Sequence, residues 1–306
     1  MPDEKTGRLD EEFVVQMKGI TKVYPNGVAA NQGVDFNLRK GEIHALMGEN
    51  GAGKSTLMKM LFGLEQPTSG EIWVNGEKLN LSSPSVAISH GIGMVHQHFM
   101  LVPSLTVAEN MVLGMVPKKG LFIDHAKAVE ITKEYAERFN LHVEPEAKVV
   151  DIPVGMKQKV EILKALVRGA KILILDEPTS GLDPVSRDDL LDLLRSLCEQ
   201  DGVSILFSTH ITSDLDACAD DVTYLQNGTV AQSVSLAGFT APWKKLTGPE
   251  TALAPALRGA LRGLRVHRGE FEALYPSDLP CPAGCREELA DLQTVMVYLE
   301  REVETV

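Results

Sequence analysis

From Phe13 onward the chain alternates short apolar runs with helix-length amphipathic segments. The runs FVVQMKGI and GVDFNL predict strands of an opening β-rich part, and EIHALM predicts a short buried strand. That strand leads into the glycine-rich GENGAGKST. KSTLMKMLFGL then carries apolar residues at helical spacing until Pro67 stops it. GEIWVNGEKL predicts a hairpin turning on Asn75-Gly76, and Asp221 to Gln232 predicts a second turning on Asn227-Gly228. The middle reads as helix. TVAENMVLG is a short one, and the next, capped by Asp124, sets Ala128, Ile131, Tyr135 and Phe139 on one face. DIPVGMKQKVEILKAL follows as a helix with a proline at its entrance, then the apolar strand KILILD, a helix opening at Pro184, and the buried strand VSILFST. Strand–helix alternation of this kind implies a mostly parallel α/β sheet.

After about Ala237 the pattern changes. GPETALAPALRGALRGLRVHRG is rich in Gly, Ala and Arg, and its periodicity assigns no element. REELADLQTVMVYLEREVETV sets Leu289, Leu292, Val295, Met296, Leu299 and Val303 on one stripe, the mark of an amphipathic helix that packs on something. The expected division is a frayed tail over 1–12, one large domain over 13–236 and a small extension over 237–306, with no internal repeat.

A formal net charge of −12 argues against a chain that lives on nucleic acid, because non-specific binding there needs an excess of Lys and Arg. It leaves room for a local basic pocket and a phosphorylated small ligand. The first residues, MPDEKTGRLDEEF, are acidic and polar, unlike a signal peptide. No apolar run approaches the ~18–20 residues that span a bilayer, so work at a membrane is expected to go through a partner. Of the four cysteines only Cys281 and Cys285, in CPAGC, are close, and no second pair or nearby His completes a zinc set. A reduced thiol pair is the expectation.

GENGAGKS fits G-x-x-x-x-G-K-[ST] without exception and has the required setting, after a strand and opening a helix. The backbone N–H groups of Gly48, Glu49, Asn50, Gly51, Ala52 and Gly53 and the positive helix terminus are expected to cradle phosphates, with Thr56 just beyond. Lys54 is expected to reach the β- and γ-phosphates and Ser55 to hold Mg²⁺. ILILDE supplies the acids: Asp176 emerges at the carboxyl end of a buried strand, where open α/β sheets bind ligands, to hold Mg²⁺ through water. Glu177 is placed to polarise an attacking water. Gln97 and His210 each follow a predicted strand on the same side. His96 and His98 flank Gln97 and, as strand alternates, share a face, yet no third metal ligand is evident.

Together these residues resemble the nucleotide-binding domain of ABC transporters, over roughly 13–235. The resemblance rests on the P-loop (Gly48–Ser55), a glutamine loop (Gln97), a signature segment (Ile152–Gln158), a Walker B strand (Ile172–Glu177), a D-loop (Ser180–Asp183) and a switch histidine (His210), in the family's order. It implies an α/β P-loop NTPase of ABC ATPase type: a mixed sheet core, an antiparallel β part and a helical signature subdomain over about 98–168. It implies ATP and Mg²⁺ as cofactors, with Gln97 as a further Mg²⁺ ligand. Catalysis falls to Glu177, His210, Lys54 and Gln97, and Tyr24, in TKVYPNG, takes the place of the aromatic that stacks on adenine. The family works as a head-to-tail dimer, in which the signature helix of one subunit closes over the γ-phosphate bound by the other. Val154 and Gly155, with Asp183 of the D-loop, therefore belong to the nucleotide site of a second nucleotide-binding subunit. The motion passes to transmembrane permease subunits through a groove near the glutamine loop, here near Phe99, Met100 and Leu101; those three fit the protein core equally well. The implied location is the cytoplasmic face of the cell membrane, peripheral through the permease, with no nucleic-acid partner.

The resemblance has two accents. SHGIGMVHQHFMLVPSLTVAENMVLG and VGMKQKVEILKAL look like ATPases of sugar and simple-nucleoside importers, which usually carry two fused nucleotide-binding domains, against one P-loop here. After Thr179, SGLDPVSRDDLLDLL, SILFSTHITSDLDACADDVTYLQNGTV and the terminal MVYLE look like ATPases of ABC-2-type exporters, including drug and peptide exporters. The signature segment also departs from the usual Leu-Ser-Gly-Gly-Gln: of Ile152, Pro153, Val154, Gly155 and Met156, only Gly155 holds. A weakly active or inactive structural subunit is therefore an alternative. A soluble ABC ATPase without transport is another, although this chain has neither the inserted coiled coils nor the second domain of those proteins.

Overall fold

The computed structural model describes residues 12–115, 118–119, 122–209 and 211–303. In chain order its elements are β1 (Phe13–Val23), β2 (Ala29–Arg39), β3 (Ile43–Met47), α1 (Lys54–Leu61), β4 (Ser69–Val74), β5 (Glu77–Leu79), α2 (Pro84–Ser89), β6 (Ile92–Val95), α3 (Val107–Met111), β7 (Lys118–Lys119), β8 (Phe122–Ile123) and α4 (His125–Arg138). There follow α5 (Val154–Val167), β9 (Ile172–Asp176), α6 (Pro184–Asp201), β10 (Ser204–Ser208), α7 (Thr212–Cys218), β11 (Asp221–Gln226), β12 (Thr229–Ser235) and α8 (Leu236–Thr240). The chain closes with β13 (Trp243–Pro249), α9 (Pro255–Ala260), β14 (Arg262–His267), β15 (Glu270–Pro276), β16 (Arg286–Leu289) and α10 (Leu292–Val303).

Two compact units result: Met1–His210 with Cys218–Ser233, and Ile211–Ala217 with Val234–Val306. In the first, a six-stranded sheet runs in the order β12-β11-β3-β10-β9-β6, and its β11, β3, β10, β9 and β6 pair in parallel. β3, β6 and β10 are buried along their whole length, as expected of parallel strands covered on both faces. A second sheet, β2-β1-β4-β5, is antiparallel, so the core is mixed. Phe36 and Leu38 of β2, Leu57, Met58 and Leu61 of α1, and Ile174 of β9 share one apolar cluster that joins the two sheets. Both Asn-Gly hairpins form. Asn75 and Gly76 take φ of 50° and 79°, and Asn227 and Gly228 take 50° and 78°, the left-handed pair that a tight hairpin turn requires.

Helices α3, α4 and α5 pack on one another. On α4 the buried face is Ala128, Thr132 and Ala136, with Ile131 and Tyr135 half-buried beside it and Phe139 just past the last turn. The close approach of α3 to α4 selects the small residues for the centre and moves the large ones to the flanks.

The second unit carries a four-stranded antiparallel sheet, β14-β15-β13-β16. Leu246, Leu253, Leu261, Phe271 and Tyr275 form its apolar centre, and α10 packs on β14 and β15. The terminal stripe needs one correction. Leu292, Val295 and Met296 are buried on α10 and Leu299 is half-buried, but Leu289 lies on β16 and is 96% exposed. Ala290 and Asp291 separate strand from helix, so a single helical period does not run through the whole segment. The side chain of Val303 lies outside the described residues. No helix among the described residues is long and apolar enough to cross a membrane.

Candidate functional site

The glycine-rich loop joins β3 to α1, and its shape depends on glycine at two places. Gly48 has φ 141°, and a Cβ there would come 2.2 Å from the Leu225 carbonyl oxygen. Gly53, the residue before α1, has φ 102°, and a Cβ there would meet the Ala30 carbonyl at 2.3 Å and Asn31 Nδ2 at 2.6 Å. Neither backbone neighbour can move aside, so both positions exclude a side chain. Buried Asn31 reinforces the loop by donating from Nδ2 to the Gly53 carbonyl at 3.4 Å. Lys54 is almost fully buried, and its Nζ donates to the carbonyls of Gly48 (2.6 Å) and Glu49 (3.1 Å), which holds the ammonium inside the loop.

A cavity of about 330 Å³ opens over this loop, lined by Ala30, Glu49, Asn50, Gly51, Gly53, Lys54, Ser55, Thr56, Gln97, Asp176 and Glu177. Residues from four separate stretches of chain thus converge on one wall. Ser55 Oγ donates to Asp176 Oδ1 at 3.3 Å, and Ser208 Oγ donates to the same oxygen at 2.8 Å. The Glu177 N–H donates to the Ser208 carbonyl (3.1 Å) and to its hydroxyl (3.3 Å). Glu177 itself sits at φ 50°, a left-handed conformation that a non-glycine residue keeps only when its surroundings impose it. The donors Ser55 Oγ, the Asp176 carboxylate and the Gln97 side chain are hard oxygens in one place, the set that suits Mg²⁺ rather than a soft metal.

Gln97 is exposed just beyond β6, and Ala52 is buried behind the loop. Tyr24 is half-buried. Its hydroxyl approaches Thr56 Oγ1 (3.4 Å) and Glu65 Oε1 (3.5 Å), and Lys22 Nζ lies 5.2 Å from its ring. His210 lies outside the described residues. His96 and His98 do not extend strand β6, which ends at Val95, so they share no strand face. His96 packs edge-on against Phe62, and burial holds its imidazole below the ordinary value against the pull of Glu161 and Asp176. Of the groove residues, Leu101 is buried and Met100 is 59% exposed.

No residue of the signature segment lines this cavity. Pro153 (φ −60°, ψ 157°) occupies the cap position before α5 and supplies no side-chain hydrogen bond, so it lies just outside the helix rather than in its first turn. Val154 is exposed, while Gly155 is buried where a Cβ would meet Ser186 at 2.8 Å. The α5 entrance therefore abuts that of α6. There Asp183 acts as the cap, accepting from the N–H groups of Val185 (3.1 Å) and Ser186 (3.0 Å), and a hydrogen bond with the Ser186 side chain, together with these backbone bonds, holds its carboxyl below the usual range. Ala30, Asn31 and Ser208 carried no motif. For Ser208 the one available signal was its place after the apolar run Ile205–Phe207, at the end of a buried strand.

The ABC transporter family model matches residues 31–180. The guanosine import ATP-binding protein NupO of Bacillus subtilis (strain 168) is 50% identical over 217 residues, 71% of this chain and 42% of that protein. The nucleoside import ATP-binding protein NupA of Lactococcus lactis subsp. cremoris is 48% identical over 232 residues, 76% of this chain and 46% of that protein. The chain thus spans less than half the length of the curated relatives it matches. A dimeric ATP-binding cassette in a post-hydrolysis state with ADP and Pi superposes with a TM-score of 0.62 at 28% identity, covering 72% of this chain and 98% of that one. For cbiO1 from Clostridium perfringens, part of the cbiONQ complex, the TM-score is 0.64 at 27% identity, covering 73% of this chain and 89% of that one.

Proposed function

The chain belongs to the ABC transporter family through residues 31–180, and from that premise we propose that it binds and hydrolyses ATP to drive import of nucleosides or simple sugars. The observation that carries the reading is the single cavity in which Lys54, Ser55, Gln97, Asp176 and Glu177 meet around the glycine loop. Phosphoryl transfer needs positioning and charge neutralisation more than covalent help, and this set is of that kind. The loop N–H groups and the start of α1 bind the phosphates. Lys54, already held by two loop carbonyls, presents its charge to the β- and γ-phosphates. Ser55, Asp176 and Gln97 hold Mg²⁺, which supplies further neutralisation of phosphate charge when bound. Glu177 orients the attacking water and takes its proton, a role worth about 10²–10⁴-fold. Tyr24 lies within reach of Thr56 and packs against the nucleotide base.

A second nucleotide-binding subunit supplies the start of its α5, with Val154 and Gly155, to complete the site, and His210 and Asp183 contribute across that junction. Transmembrane permease subunits dock near the glutamine loop and hold the protein at the cytoplasmic face of the membrane. Import is favoured over export because the relatives above are named for guanosine and nucleoside import. The exporter accent after Thr179 finds no counterpart in those names. ATPase assay of the purified protein, together with identification of the membrane protein that co-purifies, tests the reading. An importer-type permease and Mg²⁺-dependent turnover support it. A protein that binds no ATP refutes it, and an ABC-2-type permease refutes the import assignment.

A further inference from the structure

β10 pairs in parallel with β9 in a register that sets Ser208 beside Asp176. Ser208 is fully buried at the end of strand β10, directly after the apolar Ile205, Leu206 and Phe207. A hydroxyl in that setting is costly unless its bonds are made. Both are made, and each goes to one of the two adjacent acids of the proposed site, Asp176 and Glu177. The single hydroxyl proton goes to Asp176 Oδ1 at 2.8 Å, and an oxygen lone pair receives the Glu177 N–H at 3.3 Å. We infer that Ser208 is a positioning residue: it fixes the Asp176 carboxylate for Mg²⁺ and holds the strained Glu177 backbone in place through one hydroxyl. The inference rests on the ATPase reading above.

The two hydroxyls that donate to Asp176 Oδ1 differ in use. Ser55 lies 3.3 Å away, and its oxygen would also serve as a ligand for Mg²⁺ through a lone pair, so its orientation would answer to the metal as well as to the carboxylate. Ser208 does not line the cavity, and its bond to the carboxylate, at 2.8 Å, is the shorter of the two. Glu177 depends on the same residue through both its carbonyl and its hydroxyl, which counters the unfavourable φ of 50°. Removing the hydroxyl leaves the carbonyl contact and the strand ladder intact, so the loss falls on the acids and not on the sheet.

Partners of this kind behind a metal ligand alter metal affinity by about 10–100-fold when removed. The test uses the full chain, the fluorescent nucleotide mant-ADP and a Mg²⁺ titration, with thermal unfolding as a check on the fold. In Ser208→Ala the half-saturating Mg²⁺ concentration is expected to rise about 10–100-fold. Affinity for mant-ADP in EDTA should stay within about twofold of wild type. Ser208→Cys, similar in size but a weaker donor, should fall between the two and carries the test if the alanine variant does not fold. An unchanged Mg²⁺ midpoint overturns the inference. So does an equal loss of mant-ADP binding with and without Mg²⁺, which would make the residue merely structural. A wild-type protein that binds no mant-ADP refutes the ATPase reading itself.

Discussion

Replacing Pro153 by serine tests how the signature segment works, and the structure sets the size of each effect. Pro153 caps α5 without a side-chain bond, and its φ of −60° and ψ of 157° are open to serine. A serine oxygen there would accept from the N–H of Gly155 or Met156, a cap worth about 1 kcal/mol. Against this stands about 0.4–1 kcal/mol lost because proline restrains the unfolded chain. Net stability should therefore change by less than about 1 kcal/mol, a shift of at most about 2–4 °C in unfolding midpoint for a protein of this size. The same hydroxyl can accept from the helix and still donate to a phosphate oxygen. A hydrogen bond to a charged group contributes about 1.5–3 kcal/mol when fully formed and desolvated. The Val154 side chain beside it is exposed until a second subunit closes, so only part of that gain is expected. Steady-state ATPase activity of Pro153→Ser should be unchanged or rise by up to about tenfold, with the unfolding midpoint close to wild type. A clear fall in turnover at unchanged stability would refute the reasoning, because it would mean that this end of α5 does not face the transferred phosphate.

Three further expectations follow from the site and its support. Glu177→Gln should retain ATP binding in a filter or fluorescence assay while turnover drops about 10²–10⁴-fold, and near-normal turnover would remove Glu177 from its role. Gly53→Ala should abolish nucleotide binding and lower the unfolding midpoint. Its Cβ would lie 2.3 Å from the Ala30 carbonyl at φ 102°, and left-handed strain alone costs about 1–3 kcal/mol. Glu42→Gln tests a pH dependence remote from the nucleotide. Burial pushes this carboxyl up, but hydrogen bonds from His44 and the Arg39 N–H, with the nearby Arg39 charge, outweigh it and leave it below the usual range. Its contribution is therefore complete above the unfolded carboxylate value and is lost as pH falls through the folded one. Urea denaturation should show the variant less stable by about 1.5–3 kcal/mol near neutral pH, with the gap to wild type closing in acid. A gap that stays constant on acidification would contradict the assignment.

The strands of the parallel sheet were legible because burial on both faces writes itself as an uninterrupted apolar run, as in KILILD and VSILFST. The two hairpins were legible because Asn-Gly is among the few pairs that readily accept two consecutive left-handed residues. The sheet of the second unit was not. β14 contains a register shift between Arg262 and Arg265, which breaks the two-residue alternation. Within that shift sits Gly263, where a Cβ would come 2.3 Å from the Tyr298 carbonyl of α10. A close helix–strand approach thus imposes a glycine on a strand, and the result reads as a loop. β16 hides for a different reason: it is a four-residue strand exposed throughout, and its one apolar residue, Leu289, faces solvent and reads as part of the helical stripe that follows.

The site divides along the same physical line. A phosphate loop is built from consecutive backbone N–H groups, so its chemistry is contiguous and a short motif captures it. The acids at the end of β9 are legible because strand and chemistry again run in one direction along the chain. What supports them comes from across the fold. Asn31 braces Gly53 from β2 at a separation of 22 residues, and Ser208 reaches Asp176 from β10 at a separation of 32. Each is an unremarkable polar residue in its own segment, and only the pairing of strands gives it a partner. The register Ser208↔Asp176 is the decisive case. A slip of one residue would turn the hydroxyl to the opposite face and set Phe207 or Thr209 beside the carboxylate, so the arrangement of the acids is a property of the sheet and not of the Walker B stretch alone.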